Sequence, residues 1–209
     1  MIKFLALGDS YTIGEGVAAK ERWPEALAEN LREGSNSIDR PHIIAKTGWT
    51  TGELLDALEQ RTPEAKYDLV TLLIGVNNQY RGLPLDDYAI EFETCLSKAI
   101  QYARSNADHV CVISIPDWGI SPFAIDQDQR TISQHIDAFN KVNQSLTLRQ
   151  GARYVNITPL SRSLNQKEHF AADGLHPSGV AYCKWIKEIL PILPSFNPKH
   201  ETRNTKPIQ

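Results

Sequence analysis

Ile2-Lys3-Phe4-Leu5-Ala6-Leu7-Gly8-Asp9-Ser10 is the stretch from which the fold is read. A short apolar run halted by Gly8-Asp9 has the length of one buried strand, and glycine with aspartate is the punctuation that ends strands. As a leader it would supply only about half of the ~7–15-residue apolar run that a signal peptide needs. Runs of the same kind recur at residues 41–46, 69–74, 109–115 and 153–157, each followed by a polar or glycine-containing loop and then by a stretch of helical period. Strands separated by helices pair in parallel, so the pattern predicts an α/β fold with a parallel sheet covered on both faces.

The intervening helices show their faces. After Asp86, the residues Tyr88, Phe92, Cys95, Leu96, Ala99, Ile100 and Ala103 recur three and four apart and build one apolar stripe to pack on the sheet. A second helix is expected near Thr50, where Thr50 and Glu53 have capping-box spacing and Leu54, Leu55 and Leu58 supply the buried side. A third carries Ile132, Ile136, Phe139, Val142 and Leu146, and a fourth begins near Ser178. Beyond Leu193 the periodicity stops, and Pro194, Pro198 and Pro207 punctuate a polar stretch. The expected organisation is one catalytic-size domain over 1–193 and a tail over 194–209, flexible or laid on the surface.

The 209 residues suffice for one domain, and the formal charge of −3 arises from 22 Lys and Arg scattered among 25 Asp and Glu. Without basic blocks, nucleic acid is not an expected partner; the balance suits a small or neutral ligand. No stretch approaches the ~18 apolar residues of a membrane span, so no membrane insertion is expected and the default location is cytoplasmic. Cys95, Cys111 and Cys183 are odd in number and far apart, and are expected to be reduced core residues. His42, His109, His135, His169 and His200 share no ligand spacing. Neither a metal nor a cofactor is expected.

In an open parallel sheet, ligands bind where the strand-to-helix loops converge at the carboxyl ends of the strands. The first such loop carries Gly8-Asp9-Ser10-Tyr11, the second Thr47-Gly48-Trp49 and the third Gly75-Val76-Asn77-Asn78; late in the chain, Asp173-Gly174-Leu175-His176-Pro177 precedes the fourth helix. These stretches, in this order, resemble the four blocks of the SGNH hydrolases, or GDSL lipases and esterases, over positions 8 to 177. The resemblance implies a three-layer α/β/α sandwich around a flavodoxin-like, five-stranded parallel sheet. It further implies Ser10 as nucleophile, Asp173 and His176 as its triad partners on a DxxH pattern, and an oxyanion hole from Ser10, Gly48 and Asn77. Tyr11 replaces the leucine of the name-giving motif, and Asn78 stands where aspartate is more usual.

The chemistry asks for these residue types. A serine hydroxyl is a poor nucleophile until an imidazole, with an unperturbed pKa of about 6.5, takes its proton. The imidazole needs a partner on its other nitrogen, which Asp173 can be. The oxyanion of the tetrahedral intermediate needs donors, expected to be the backbone N–H groups of Ser10 and Gly48 and the Asn77 amide.

For the substrate, the loop Pro116-Asp117-Trp118-Gly119-Ile120-Ser121-Pro122-Phe123 is apolar and aromatic, and Trp118 and Phe123 are candidates for its pocket. Asp9, Tyr80 and Arg81 are further candidates for substrate contact. No insertion is long enough for a lid, which favours small or short-chain esters as the partner. A lysophospholipase or thioesterase would use the same triad. A non-catalytic, flavodoxin-like nucleotide-binding module is the rival from another class, disfavoured because Gly8, Gly14 and Gly16 are not GxGxxG and no GxxxxGK[ST] occurs.

Overall fold

The computed structural model describes residues 1–34, 36–60 and 66–196. In chain order its main elements are β1 (Phe4–Gly8), α1 (Ser10–Ile13), α2 (Trp23–Glu33), β2 (His42–Ala45), α3 (Thr51–Gln60), β3 (Leu69–Leu73), α4 (Val76–Tyr80), α5 (Leu85–Tyr102), β4 (Val110–Ile113), α6 (Gln129–Arg149), β5 (Arg153–Val155), α7 (Thr158–Ser163) and α8 (Gly179–Ile189). The sheet has the order β2-β1-β3-β4-β5, and every neighbouring pair is parallel. Each strand falls inside the span expected from its apolar run. β1 and β3 are buried along their whole length, whereas the edge strands β2 and β5 are only partly covered.

The helices form the outer layers of an α/β/α sandwich: α2 packs with α8, while α3, α5 and α6 pack in succession. In α5 the expected stripe is the buried one, with Tyr88, Phe92, Cys95, Leu96 and Ala99 fully covered. Each large apolar side chain so covered contributes roughly 1.5–3 kcal/mol. The Thr50 and Glu53 pair forms its capping box: the Thr50 N–H donates to Glu53 Oε2 at 2.8 Å, and the Glu53 N–H to Thr50 Oγ1 at 3.3 Å. α2 adds to the expected elements, burying Trp23, Leu27 and Leu31 on one side. Cys95 and Cys111 are core residues, but Cys183 is exposed. The reason is angular: α8 turns Ala181, Tyr182, Trp185, Ile186 and Ile189 inward, and position 183 falls on the opposite face.

Of the expected tail, Pro194 is buried and Phe196 lies against the core; residues 197–209 lie outside the described residues. Among the described residues, no helix is long and apolar enough to cross a membrane.

This strand order fixes where a ligand can sit. The chain passes from β1 to β2 on one side and then returns to β3 on the other, so β1 and β3 flank the switch point at which helices diverge to opposite faces and leave a crevice. Gly8 pairs with Ala45 and with Leu73, which brings the ends of β1, β2 and β3 level at that crevice.

Candidate active site

The loop after β1 is built on close approach. A Cβ on Gly8 would stand 2.2 Å from Thr12 Oγ1 and 2.3 Å from the Leu73 carbonyl, so only glycine lets α1 fold back against β3 here. Asp9 caps α1 by accepting the Tyr11 N–H on Oδ1 at 3.0 Å. Its side chain is wholly buried, and Oδ2 has no partner among the described residues. Burial pushes the Asp9 carboxyl up to about 7, against the opposing hydrogen bonds from backbone N–H groups. Asp9 therefore braces the loop from beneath, and the expectation that it touches substrate is corrected: it does not line the cleft. Ser10, first residue of α1, does line it.

In the loop after β2, the Trp49 N–H donates to the Lys46 carbonyl at 3.2 Å and closes a turn. Gly48 holds φ +86° there, while a Cβ would meet nothing nearer than Arg81 at 3.7 Å. Its backbone conformation, not crowding, calls for glycine. The Gly48 carbonyl accepts from Arg81 Nη2 at 2.5 Å, and the next carbonyl, that of Trp49, accepts from Asn77 Nδ2 at 2.9 Å. Arg81 also pairs through Nη1 with Glu53 at 3.3 Å. Its guanidinium thus holds two protein partners and is not among the groups that line the cleft.

Asn78, the departure from the usual aspartate, is buried and fastens α4 to the start of α3. Its Oδ1 accepts the Thr51 N–H at 3.0 Å and its Nδ2 donates to Thr51 Oγ1 at 2.7 Å, which leaves the Thr51 hydroxyl proton for Glu91. Aspartate could not donate to Thr51.

The last loop is a narrow hairpin in which Phe170 bridges Pro177, the Ala171 N–H donates to the His176 carbonyl at 2.7 Å, and the Ser178 N–H donates to the His169 carbonyl at 2.9 Å. Asp173 Oδ1 accepts the N–H groups of Leu175 and His176 at 2.9 and 3.0 Å, while Oδ2 lies 2.6 Å from His176 Nδ1. Partial burial pushes the Asp173 carboxyl up, but the His176 ring and the two backbone donors together outweigh it and hold the group below the ordinary carboxylate range. With a carboxylate facing Nδ1, that nitrogen carries the proton and Nε2 is left as acceptor. Tyr11 is buried between the rings of His176, at 5.9 Å between centroids, and Trp185, at 6.2 Å.

Ser10, Gly48, Asn77 and His176, from four separate loops, line one cleft of about 190 Å³. Tyr80, Trp118 and Phe123 line it as well. Trp118 meets Tyr80 edge-on at 5.3 Å and Phe123 at 6.3 Å, and its Nε1–H donates to Gln79 Oε1 at 2.7 Å. The Phe123 N–H donates to the Gly174 carbonyl at 3.1 Å, tying this aromatic wall to the hairpin of His176. Sequence reasoning missed the buried carboxylate of Asp117, which caps the Gly119 N–H at 2.8 Å and accepts from Arg162 Nε at 2.8 Å. The cap could have been read from the spacing Asp117-Trp118-Gly119; the partner in α7, remote in the chain, could not.

Residues 6–182 match the model of the GDSL-like lipase/acylhydrolase family. The chain belongs to that family. Its members are carboxylic ester hydrolases, and the nucleotide-binding reading falls with the assignment. This GDSL-like hydrolase is 27% identical to an arylesterase of Vibrio mimicus over 195 residues, 90% of this chain and 86% of that protein. Among solved structures it is similar to TesA, with a TM-score of 0.71 at 21% identity over 91% of this chain and 97% of that one. It is similar also to the acetyl xylan esterase AlAXEase, with a TM-score of 0.72 at 14% identity over 91% and 98%. At these identities the structural likenesses show the shared fold.

Proposed function

We propose that this hydrolase cleaves small or short-chain carboxylic esters through an acyl-enzyme intermediate formed on Ser10. The observation that carries the reading is the convergence of Ser10 and His176 on one cleft, with the imidazole held through Nδ1 by Asp173 at 2.6 Å. His176 Nε2 takes the Ser10 proton as Oγ attacks the ester carbonyl, and Asp173 stabilises the imidazolium that forms. The negative charge on the former carbonyl oxygen is met by the N–H groups of Ser10 and Gly48 and by the second amide hydrogen of Asn77, whose first is engaged by Trp49. The imidazolium returns its proton to the departing alcohol, and water, deprotonated by the same nitrogen, releases the acid.

Size and lining support this substrate class. A cleft of about 190 Å³ lies below the roughly 300–1,000 Å³ of drug-sized sites, and its aromatic wall suits a short acyl group or an aromatic alcohol. The names of the arylesterase relative and of the acetyl xylan esterase neighbour point the same way. The test is hydrolysis of p-nitrophenyl acetate against the butyrate, octanoate and a lysophospholipid, with Ser10→Ala as control. Acetate or butyrate as best substrate, with activity and fluorophosphonate labelling both lost in Ser10→Ala, is expected. Labelling that persists without Ser10 would remove the nucleophile assignment, and preference for the lysophospholipid would move the substrate class to lipids.

A further inference from the structure

Asn77 and Arg81 stand four residues apart, the interval that puts side chains on one face of a helix. From there they grip consecutive carbonyls of the loop after β2: Asn77 holds that of Trp49, and Arg81 that of Gly48. We propose that Arg81 is a positioning residue of the oxyanion hole, whose guanidinium fixes the Gly48 loop so that the Gly48 N–H stays aimed at the reacting carbonyl oxygen. The inference rests on the role given above to Gly48.

Gly48 needs such a restraint. A glycine passes between positive and negative φ at little cost, so an unrestrained loop could turn its N–H away from the cleft. Two contacts oppose this. The peptide joining Gly48 and Trp49 is pinned at both ends, its N–H by the Lys46 carbonyl at 3.2 Å and its C=O by Arg81 at 2.5 Å. Rotation about the Gly48 backbone would break both.

Arg81 is in turn oriented by Glu53, whose Oε2 also accepts the N–H and the hydroxyl of Thr50 at 2.8 and 3.0 Å. Those Thr50 bonds, with Arg81 adding, hold the Glu53 carboxyl below its ordinary range, so it stays charged and available to the guanidinium. One planar group thereby joins the cap of α3 to the turn at Gly48. A lysine offers one nitrogen in place of the two that make these contacts. The ion pair is about half exposed and is worth little as stability; its effect is on geometry.

The experiment compares wild type, Arg81→Ala and Arg81→Lys on p-nitrophenyl acetate, with kcat and KM separated, and measures inhibition by a trifluoromethyl ketone, which forms a tetrahedral adduct with a serine nucleophile. Arg81→Ala is expected to lower kcat about tenfold with KM within twofold, and to weaken the trifluoromethyl ketone by a similar factor. Arg81→Lys falls between, and millimolar guanidinium partly restores Arg81→Ala. A raised KM at unchanged kcat would return Arg81 to the role of substrate ligand and overturn the proposal, as would unaltered kcat and inhibitor affinity. Should Arg81→Ala not fold, Arg81→Lys carries the same comparison. Wild type that hydrolyses no ester would sink the esterase reading itself, an outcome distinct from any effect of Arg81.

Discussion

Asp173 binds His176 twice: one carboxylate oxygen lies 2.6 Å from ring Nδ1, and the other accepts the His176 backbone N–H at 3.0 Å. The carboxylate thus sets both the tautomer of the ring and the turn that carries it. Asp173→Asn should keep the turn, since an amide oxygen still accepts the backbone N–H groups, yet its NH2 can favour the wrong tautomer. We expect kcat to fall by about 10³–10⁴, the scale seen when this interaction is broken in serine proteases, with a Tm within a few degrees of wild type. Because the folded carboxyl is held below its ordinary range, its contribution to stability is complete above about pH 4 and is lost only as pH falls through the folded value. Mild acidification to about pH 5 should therefore leave this contribution, and the fold by circular dichroism, intact.

Asn77 has one amide hydrogen on the Trp49 carbonyl, and in the proposed mechanism the other meets the oxyanion. Asn77→Ala should lower kcat about 10²–10³-fold, while the lost Trp49 bond costs about 1 kcal/mol of stability. Near-normal turnover in a folded variant would remove Asn77 from the oxyanion hole.

Asp9 predicts a pH effect of opposite sign. Its folded pKa is raised from 3.8 to about 7, so the native state favours the neutral acid; stability is full at low pH and is lost as pH rises from about 4 through about 7. Asp9→Asn keeps an oxygen to cap the Tyr11 N–H and cannot ionise. Thermal denaturation should show a variant whose Tm advantage over wild type grows between pH 4 and pH 8. A constant difference would mean that Asp9 is charged throughout.

Phe123 and Trp118 share the cleft wall but differ in burial, 44% against 5% exposed. Phe123→Ala should cost little stability and move ester preference toward longer acyl chains. Trp118→Ala should do the same only at a cost of roughly 3–5 kcal/mol. Unchanged preference from acetyl to octanoyl in Phe123→Ala would detach that ring from the acyl site.

The structure also shows how far local reading reaches. The strands, the Thr50 cap and the α5 stripe depend on residues within a few positions of one another; each strand lies within its expected span, and the cap and stripe stand where the spacing put them. Nothing local to Arg81 points to its partner Gly48, 33 positions away. The apolar neighbourhood of Cys183 predicts a core position, but one residue of rotation on α8 exposes it.

By itself the sequence determined the order of the strands, four of the helices, and the loops whose residue types suit acyl transfer, because backbone preference and side-chain chemistry are local properties. The tertiary structure alone decided that four such loops share one cleft, that Asp9 is buried beside it, and that Arg81 bonds Gly48 and Glu53. The reason is physical: the 2-1-3-4-5 strand order sets which loop ends adjoin, and a side chain's partners and solvation follow from that packing.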